Sequence, residues 1–200
     1  VVKIALKYGV YILSDLAYAE IYYEDVPPPS ILQIPKAKEI AVEFTSMSKT
    51  YAMAGWRIGF AVGNLKLINA LTRIKSYLDY GALTPVQVAA AAALNGPQDC
   101  VLEIRQTYQT RRDTLIKSMS RSGWDIPSPP AIMFAWAPLP EKYKNNGSLV
   151  FATELMLNAD VAVAPGVAFG EYGEGFVRVG LVENEQRIKQ AAKNIKKLLL

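Results

Sequence analysis

The segment Thr45-Ser46-Met47-Ser48-Lys49-Thr50-Tyr51-Ala52-Met53-Ala54-Gly55-Trp56-Arg57-Ile58-Gly59 gathers groups able to hold a phosphate beside a reactive carbonyl. Ser46 and Ser48 offer hydroxyls, the loop offers backbone N–H groups, and Arg57 offers a planar fork that suits a phosphate dianion. Lys49 supplies an amine that can form an imine. Each residue taken singly also has a plainer reading: a solvated surface lysine, ordinary loop hydroxyls, a surface ion pair. What distinguishes them is their setting, between the end of one apolar run and the start of the next. In α/β sheets that edge is where ligands bind.

Composition removes the main competing chemistries. Among 200 residues there is no histidine, so Ser-His-Asp triads, Cys-His pairs and His-ligated zinc sites are excluded within this chain, and no metal site is expected. The single cysteine, Cys100, rules out an internal disulfide framework and reads as a small buried hydrophobe in a cytoplasmic protein. The net charge of +4 is mild and the lysines are spread over helices rather than massed with aromatics, so nucleic acid is not an expected partner. The most apolar stretch, Val86 to Leu94, is interrupted by Gln87 and falls short of the roughly 20 residues a membrane span needs. Val1-Val2-Lys3-Ile4-Ala5-Leu6-Lys7 lacks the features of a signal peptide and reads as a start inside a domain.

Several elements must position these groups. Tyr11 to Leu13, ending at Ser14-Asp15, and Ile40 to Phe44, ending at Thr45-Ser46, read as strands of a covered parallel sheet. Arg57 to Val62 is a third strand, closed by Gly63-Asn64, followed by a helix from Leu65 to about Tyr77. The segment from Pro85 to Leu94 reads as a buried Ala-rich helix. A long helix from about Asp99 to Arg121 follows, with Val101, Ile104, Tyr108, Leu115 and Met119 on one face, and bridges two domains. After Pro127-Ser128-Pro129-Pro130 come a strand near Met133 to Trp136, a helix near Leu149 to Leu157, and strands at Val161 to Ala164 and Phe176 to Val182. An amphipathic helix from Glu185 to Leu199 ends the pattern, with Lys189, Lys193, Lys196 and Lys197 on its solvated face. Gly170-Glu171-Tyr172-Gly173-Glu174-Gly175 superficially suggests a phosphate loop, but its glutamates would repel phosphate, and a hinge or lid-like turn is the better reading.

The chain resembles the class I/II aminotransferases of fold type I. Their cofactor-lysine motif, Ser-x-Ser-Lys followed eight positions later by the arginine of Gly-Trp-Arg-x-Gly, is matched from Ser46 through Lys49 to Arg57 and Gly59. Asp-x-x-Tyr at an upstream strand end is matched by Asp15-Leu16-Ala17-Tyr18, and the arginine in the strand before the last helix by Arg178 in Val177-Arg178-Val179-Gly180. Three motifs in family order are far more specific than any one, and the resemblance extends across the whole chain.

The resemblance implies a role for each matched residue. Lys49 would carry pyridoxal 5'-phosphate covalently and then move the proton between the substrate α-carbon and the cofactor. Asp15, otherwise a helix or turn cap, would face the pyridine nitrogen and keep it protonated. Tyr18, otherwise an amphipathic core tyrosine, would donate to the cofactor's phenolic oxygen. Ser46, Ser48 and Arg57 would cradle the phosphate. Arg178, whose rival reading is a buried structural salt bridge, would clamp the substrate α-carboxylate.

The implied fold is the C-terminal part of a large, mainly parallel α/β domain, residues 1–98, followed by a small α/β domain, residues 99–200, that begins with the long helix. The family's remaining site residues precede Val1, and its active site is shared across a homodimer, so the isolated chain is expected to be inactive or nearly so. The stretches Lys75 to Gln87 and Ala164 to Gly170 most resemble bacterial glutamate–pyruvate transaminases, with aspartate and LL-diaminopimelate aminotransferases as relatives. Asp79 to Pro85, which would approach the partner's substrate, contains no arginine for a distal carboxylate, which favours alanine as donor. Less favoured are a lyase of the same fold and an aminotransferase-like regulator.

Overall fold

The computed structural model describes residues Val1–Leu199 and is a mixed α/β fold. The chain forms two compact units, Val1–Arg105 and Gln106–Leu200, and the division falls inside a long helix.

The first unit opens with helix α1, Val2–Tyr8. Gly9 ends it in the left-handed conformation, φ 62°, where a glycine carries no Cβ penalty, and Val2 and Ala5 are its buried residues. Strands β1, Ile12–Asp15, and β2, Ala41–Ser46, pair in parallel, with Ile12 opposite Ala41 and Asp15 opposite Phe44. Helix α2, Met47–Thr50, is a single turn, and strand β3, Gly59–Gly63, then returns antiparallel to β2 with Ser46 opposite Gly59. The expected third strand is therefore present but shorter and antiparallel. The connection from β2 holds only the single turn α2 and the short turn Ala54–Trp56, with no helix to carry a crossover, and the chain doubles back.

Gly59 is required at that return: a Cβ there would lie 2.6 Å from the Thr45 carbonyl oxygen. Asn64 caps the next helix, α3, Leu65–Leu78, by accepting from the Leu67 amide at 3.1 Å. Helix α4, Thr84–Asn95, forms as expected with Pro85 in its first turn, but it is not buried. Ala90 is its one buried residue, because the other faces of this alanine-rich helix have nothing packed over them among the described residues. Coverage is likewise incomplete on β1, where Leu13 is exposed. An open apolar groove of about 530 Å³ lies between α1 and β1, lined by Ile4, Tyr8 and Leu13 among others and by none of the candidate site residues.

Helix α5, Asp99–Ser120, spans the division, and Leu115 and Met119 enter the core of the second unit. Cys100, expected to be buried, is exposed on its first turn. The second unit has an antiparallel sheet in the order β4, β6, β5, formed by Phe134–Pro138 (β4), Ala164–Pro165 (β5) and Phe176–Gly180 (β6). Strand β5 is thus only two residues, shorter than the apolar run Val161 to Ala164 suggested.

Helices α6, Ser148–Ala159, and α7, Glu185–Leu199, complete this unit. Trp124, Phe151, Leu155, Leu181 and Ile195 are almost wholly enclosed in its core. The Trp124 indole meets the Phe151 ring edge-on at 5.3 Å and donates to the Pro138 carbonyl at 2.8 Å, so its polar atom is satisfied. On α7, Ile188, Ala192 and Ile195 are buried and Lys189, Lys193, Lys196 and Lys197 exposed, as the spacing predicted. No helix among the described residues is long and apolar enough to cross a membrane.

Candidate functional site

Six of the seven residues singled out in the sequence lie at one edge of the first unit's sheet. Asp15 is the last residue of β1 and Ser46 the last of β2, and because those strands run in parallel the turns that follow them emerge on the same side. The turn after β1 carries Tyr18, and the turn after β2 carries Ser48 and Lys49. The ammonium of Lys49 lies 5.3 Å from the centroid of the Tyr18 ring, which fixes the two turns face to face. The Met47 amide donates to the Ile58 carbonyl at 3.2 Å, extending the β2–β3 pairing and bringing Arg57 to the same edge.

Local bonding explains why the loop holds this shape. The Ser46 hydroxyl accepts from the Ser48 amide at 3.2 Å and so caps the turn carrying Lys49. Arg57 sits in the left-handed region at φ 50°, and its Nη1 donates to the Ala54 carbonyl at 2.9 Å. That bond folds the loop back on itself and leaves the other edge of the guanidinium outward; Arg57 makes no ion pair among the described residues. Asp15 accepts from the Ala17 amide at 3.2 Å, so the turn-capping reading is realised by one carboxylate oxygen while the side chain as a whole stays exposed.

The donor set suits a phosphorylated carbonyl compound. Two hydroxyls and a guanidinium are available for the phosphate, an amine lies within the same short turn, and a carboxylate and a phenol stand on the neighbouring strand's turn.

Arg178 lies in the second unit, on the face of β6 opposite the buried Val177 and Val179. Its guanidinium carbon is 4.3 Å from the Phe134 ring centroid and 4.6 Å from that of Phe169. No carboxylate pairs with it among the described residues. Among the described residues the bond-forming edge of the fork is therefore not committed to a carboxylate.

Sequence reasoning missed two features. Glu43, in the middle of β2 and 5% exposed, accepts from the Ile31 amide at 2.9 Å, from the Ser30 hydroxyl at 2.8 Å and from the Ser14 hydroxyl at 3.4 Å. A charge inside the apolar run Ala41-Val42-Glu43-Phe44 was the available signal. The aromatic enclosure of Arg178 had none, because Phe134, Trp136 and Phe169 reach it only through strand register and a distant turn. The glycine-bearing turn near residue 170, expected as a hinge or lid-like turn, is bonded to the start of α6: the Glu174 carboxylate accepts from the Ser148 amide and hydroxyl and from the Gly175 amide.

The family model for aminotransferase class I and II matches residues 1–195. The chain belongs to the class I and II aminotransferases. It is 58% identical over 199 residues to AatC of Rhizobium meliloti, covering 100% of this chain and 49% of that protein. It is 53% identical to the glutamate-pyruvate aminotransferase AlaC of Escherichia coli, covering 98% and 48%. An LL-diaminopimelate aminotransferase of Moorella thermoacetica is 42% identical, covering 100% and 50%. The solved structure of apo BacF from Bacillus subtilis aligns with a TM-score of 0.93 at 32% identity, covering 99% of this chain and 50% of that one. The chain thus spans about half the length of the relatives it matches and has the fold of the corresponding part of fold type I aminotransferases.

Proposed function

We propose that the intact protein is a pyridoxal-phosphate-dependent transaminase that moves an amino group between an L-amino acid, alanine or glutamate, and a 2-oxo acid, pyruvate or 2-oxoglutarate. The observation that carries this reading is the meeting of the Lys49 turn with the Tyr18 turn at the open end of a parallel strand pair. Bound there, pyridoxal phosphate supplies an electron sink that stabilises negative charge at the substrate α-carbon.

The protein's part is binding, orientation and proton transfer. Ser46, Ser48 and Arg57 hold the phosphate, and the short α2 turn keeps Lys49 at a fixed distance from them. Asp15 would hold the cofactor's pyridine nitrogen through its carboxylate and favour the protonated ring. Tyr18 donates its hydroxyl proton toward the ring oxygen. With the cofactor bound, the Lys49 amine would act as the base that takes the proton from the substrate α-carbon and, as its ammonium, as the acid that gives the proton back. Arg178 receives the α-carboxylate with both nitrogens of its fork, which sets the plane of the bond to be broken.

Alanine is favoured as donor on two grounds: Asp79 to Pro85 contains no arginine, and AlaC is among the most similar relatives. The similarity to LL-diaminopimelate aminotransferases carries the alternative, a diaminopimelate or aspartate donor. A homodimer with shared active sites accords with the exposed side chains of Tyr77, Leu78, Tyr80 and Leu83, a run of apolar groups at the end of α3 and the loop after it. The one cysteine, free and exposed, accords with a cytoplasmic setting.

The test is product analysis of the intact protein given L-alanine with 2-oxoglutarate. Equal amounts of pyruvate and glutamate are expected, with no pyruvate when the acceptor is omitted. Acceptor-independent pyruvate would indicate a lyase. Glutamate formed from LL-diaminopimelate or aspartate but not from alanine would transfer the assignment to the alternative donor.

A further inference from the structure

The aromatic groups around Arg178 are held in two different ways. Phe134 and Trp136 stand on β4, where the sheet fixes them, with Trp136 opposite Arg178 in register. Trp136 stacks on Phe176 at 5.6 Å and 19° and meets Phe169 edge-on at 5.6 Å and 77°. Phe169 belongs to no strand. It ends the helical turn Gly166–Phe169, is 51% exposed, and precedes Gly170 at φ 109°.

That turn is tied down at its other end. The Val167 amide donates to the Ser148 hydroxyl oxygen at 3.2 Å, and the Ser148 hydroxyl donates to Glu174 Oε2 at 3.0 Å. The Ser148 and Gly175 amides both donate to Glu174 Oε1. Ser148 is fully enclosed at the start of α6, so the carboxylate also satisfies an N–H at that helix end. Gly166 and Gly173 pack back to back, and a Cβ on Gly166 would fall 1.9 Å from the Gly173 carbonyl oxygen. The turn therefore cannot slide past the segment that bears Glu174.

We infer that Glu174 is a positioning residue: through Ser148 and the Gly166–Phe169 turn it holds Phe169 against Arg178, and so fixes the plane of the guanidinium that receives the substrate carboxylate. This rests on the assignment of Arg178 to carboxylate binding. An arginine side chain has many rotamers, and two-point recognition of a carboxylate needs one of them. Contact with both Phe134 and Phe169 selects it before the ligand arrives. The Gly175 amide first, and the Ser148 amide next, hold the Glu174 carboxyl below the usual carboxylate range, so the clasp is charged at neutral pH.

Titration calorimetry of the intact protein with propionate, a carboxylate without an amino group, tests this in wild type, Glu174→Ala, Phe169→Ala and the double variant. Each single substitution should weaken binding about fivefold, the scale of one lost cation–π contact. The double should bind no more weakly than Phe169→Ala. Arg178→Lys should lose most of the affinity. If Glu174→Ala disturbs folding, Glu174→Gln, which keeps an acceptor for the Ser148 amide, takes its place and should show a smaller effect that again vanishes in the Phe169→Ala background. Glu174 and Phe169 effects that multiply in the double would overturn the proposal, as would wild-type affinity in Glu174→Ala or propionate binding independent of Arg178. Amino transfer plays no part in this titration. A wild type that binds propionate through Arg178 yet transfers no amino group would therefore sink the transaminase reading alone.

Discussion

Lys49 Nζ stands 5.3 Å from the centre of the Tyr18 ring, so the turns that close two neighbouring parallel strands present an amine and a phenol to one another. The ring face and the hydroxyl contribute separately. Tyr18→Phe keeps the aromatic face against the ammonium and removes the donor. The cofactor should still bind, while turnover falls about fivefold, the scale of one neutral hydrogen bond. Steady-state kinetics beside the visible spectrum of the loaded protein measure both effects.

Asp15 is both a turn cap and, on the proposed mechanism, the partner of the ring nitrogen. Asp15→Asn separates the two, because the amide oxygen still accepts from the Ala17 amide but carries no charge. Thermal stability should be unchanged while turnover drops by roughly 10²–10³-fold, the usual cost of removing one preorganised electrostatic partner. Full activity in Asp15→Asn would leave the side chain as a cap only.

Much of this was legible beforehand because the chemistry sits where short-range patterns change. The ends of β1 and β2 are marked by apolar runs stopping at Ser14-Asp15 and Thr45-Ser46, and α7 by helical spacing that burial then follows, whereas α3 forms where its spacing put it but buries no residue and leaves Ile74 and Leu78 exposed. The misreadings share a cause. Burial of α4 and Cys100 depends on what packs against them, which no local period encodes. The enclosure of Arg178 is likewise a matter of register: Phe134 and Trp136 reach it across β4, and Phe169 through a turn closed by a glutamate.

Glu43 anchors the Ser30–Ile31 segment to the middle of β2 from a buried position. Glu43→Ala strands buried donors and should cost about 3 kcal/mol of stability. Urea denaturation should show a lower midpoint at an unchanged slope. Wild-type stability would mean that water replaces the carboxylate without penalty.

Glu174 gives the fold a pH dependence of known sign. Its carboxyl is held below the ordinary value, chiefly by the Gly175 amide, so the folded state favours the ionised form. The resulting stabilisation is complete above the unfolded-state pKa and is lost as pH falls through that value and then the folded one. The difference in melting temperature between wild type and Glu174→Gln should therefore be largest near neutrality and shrink with acidification, beginning below about pH 5. A gap that widens in acid would reverse the assignment.

The visible absorption of the intact protein mixed with pyridoxal phosphate, wild type against Lys49→Ala, tests the central claim most directly. The account predicts a protein-bound cofactor band in the wild type that L-alanine abolishes and 2-oxoglutarate restores, with neither the band nor the cycle in Lys49→Ala. An undiminished band and cycle in Lys49→Ala, or no bound band in the wild type, would contradict it.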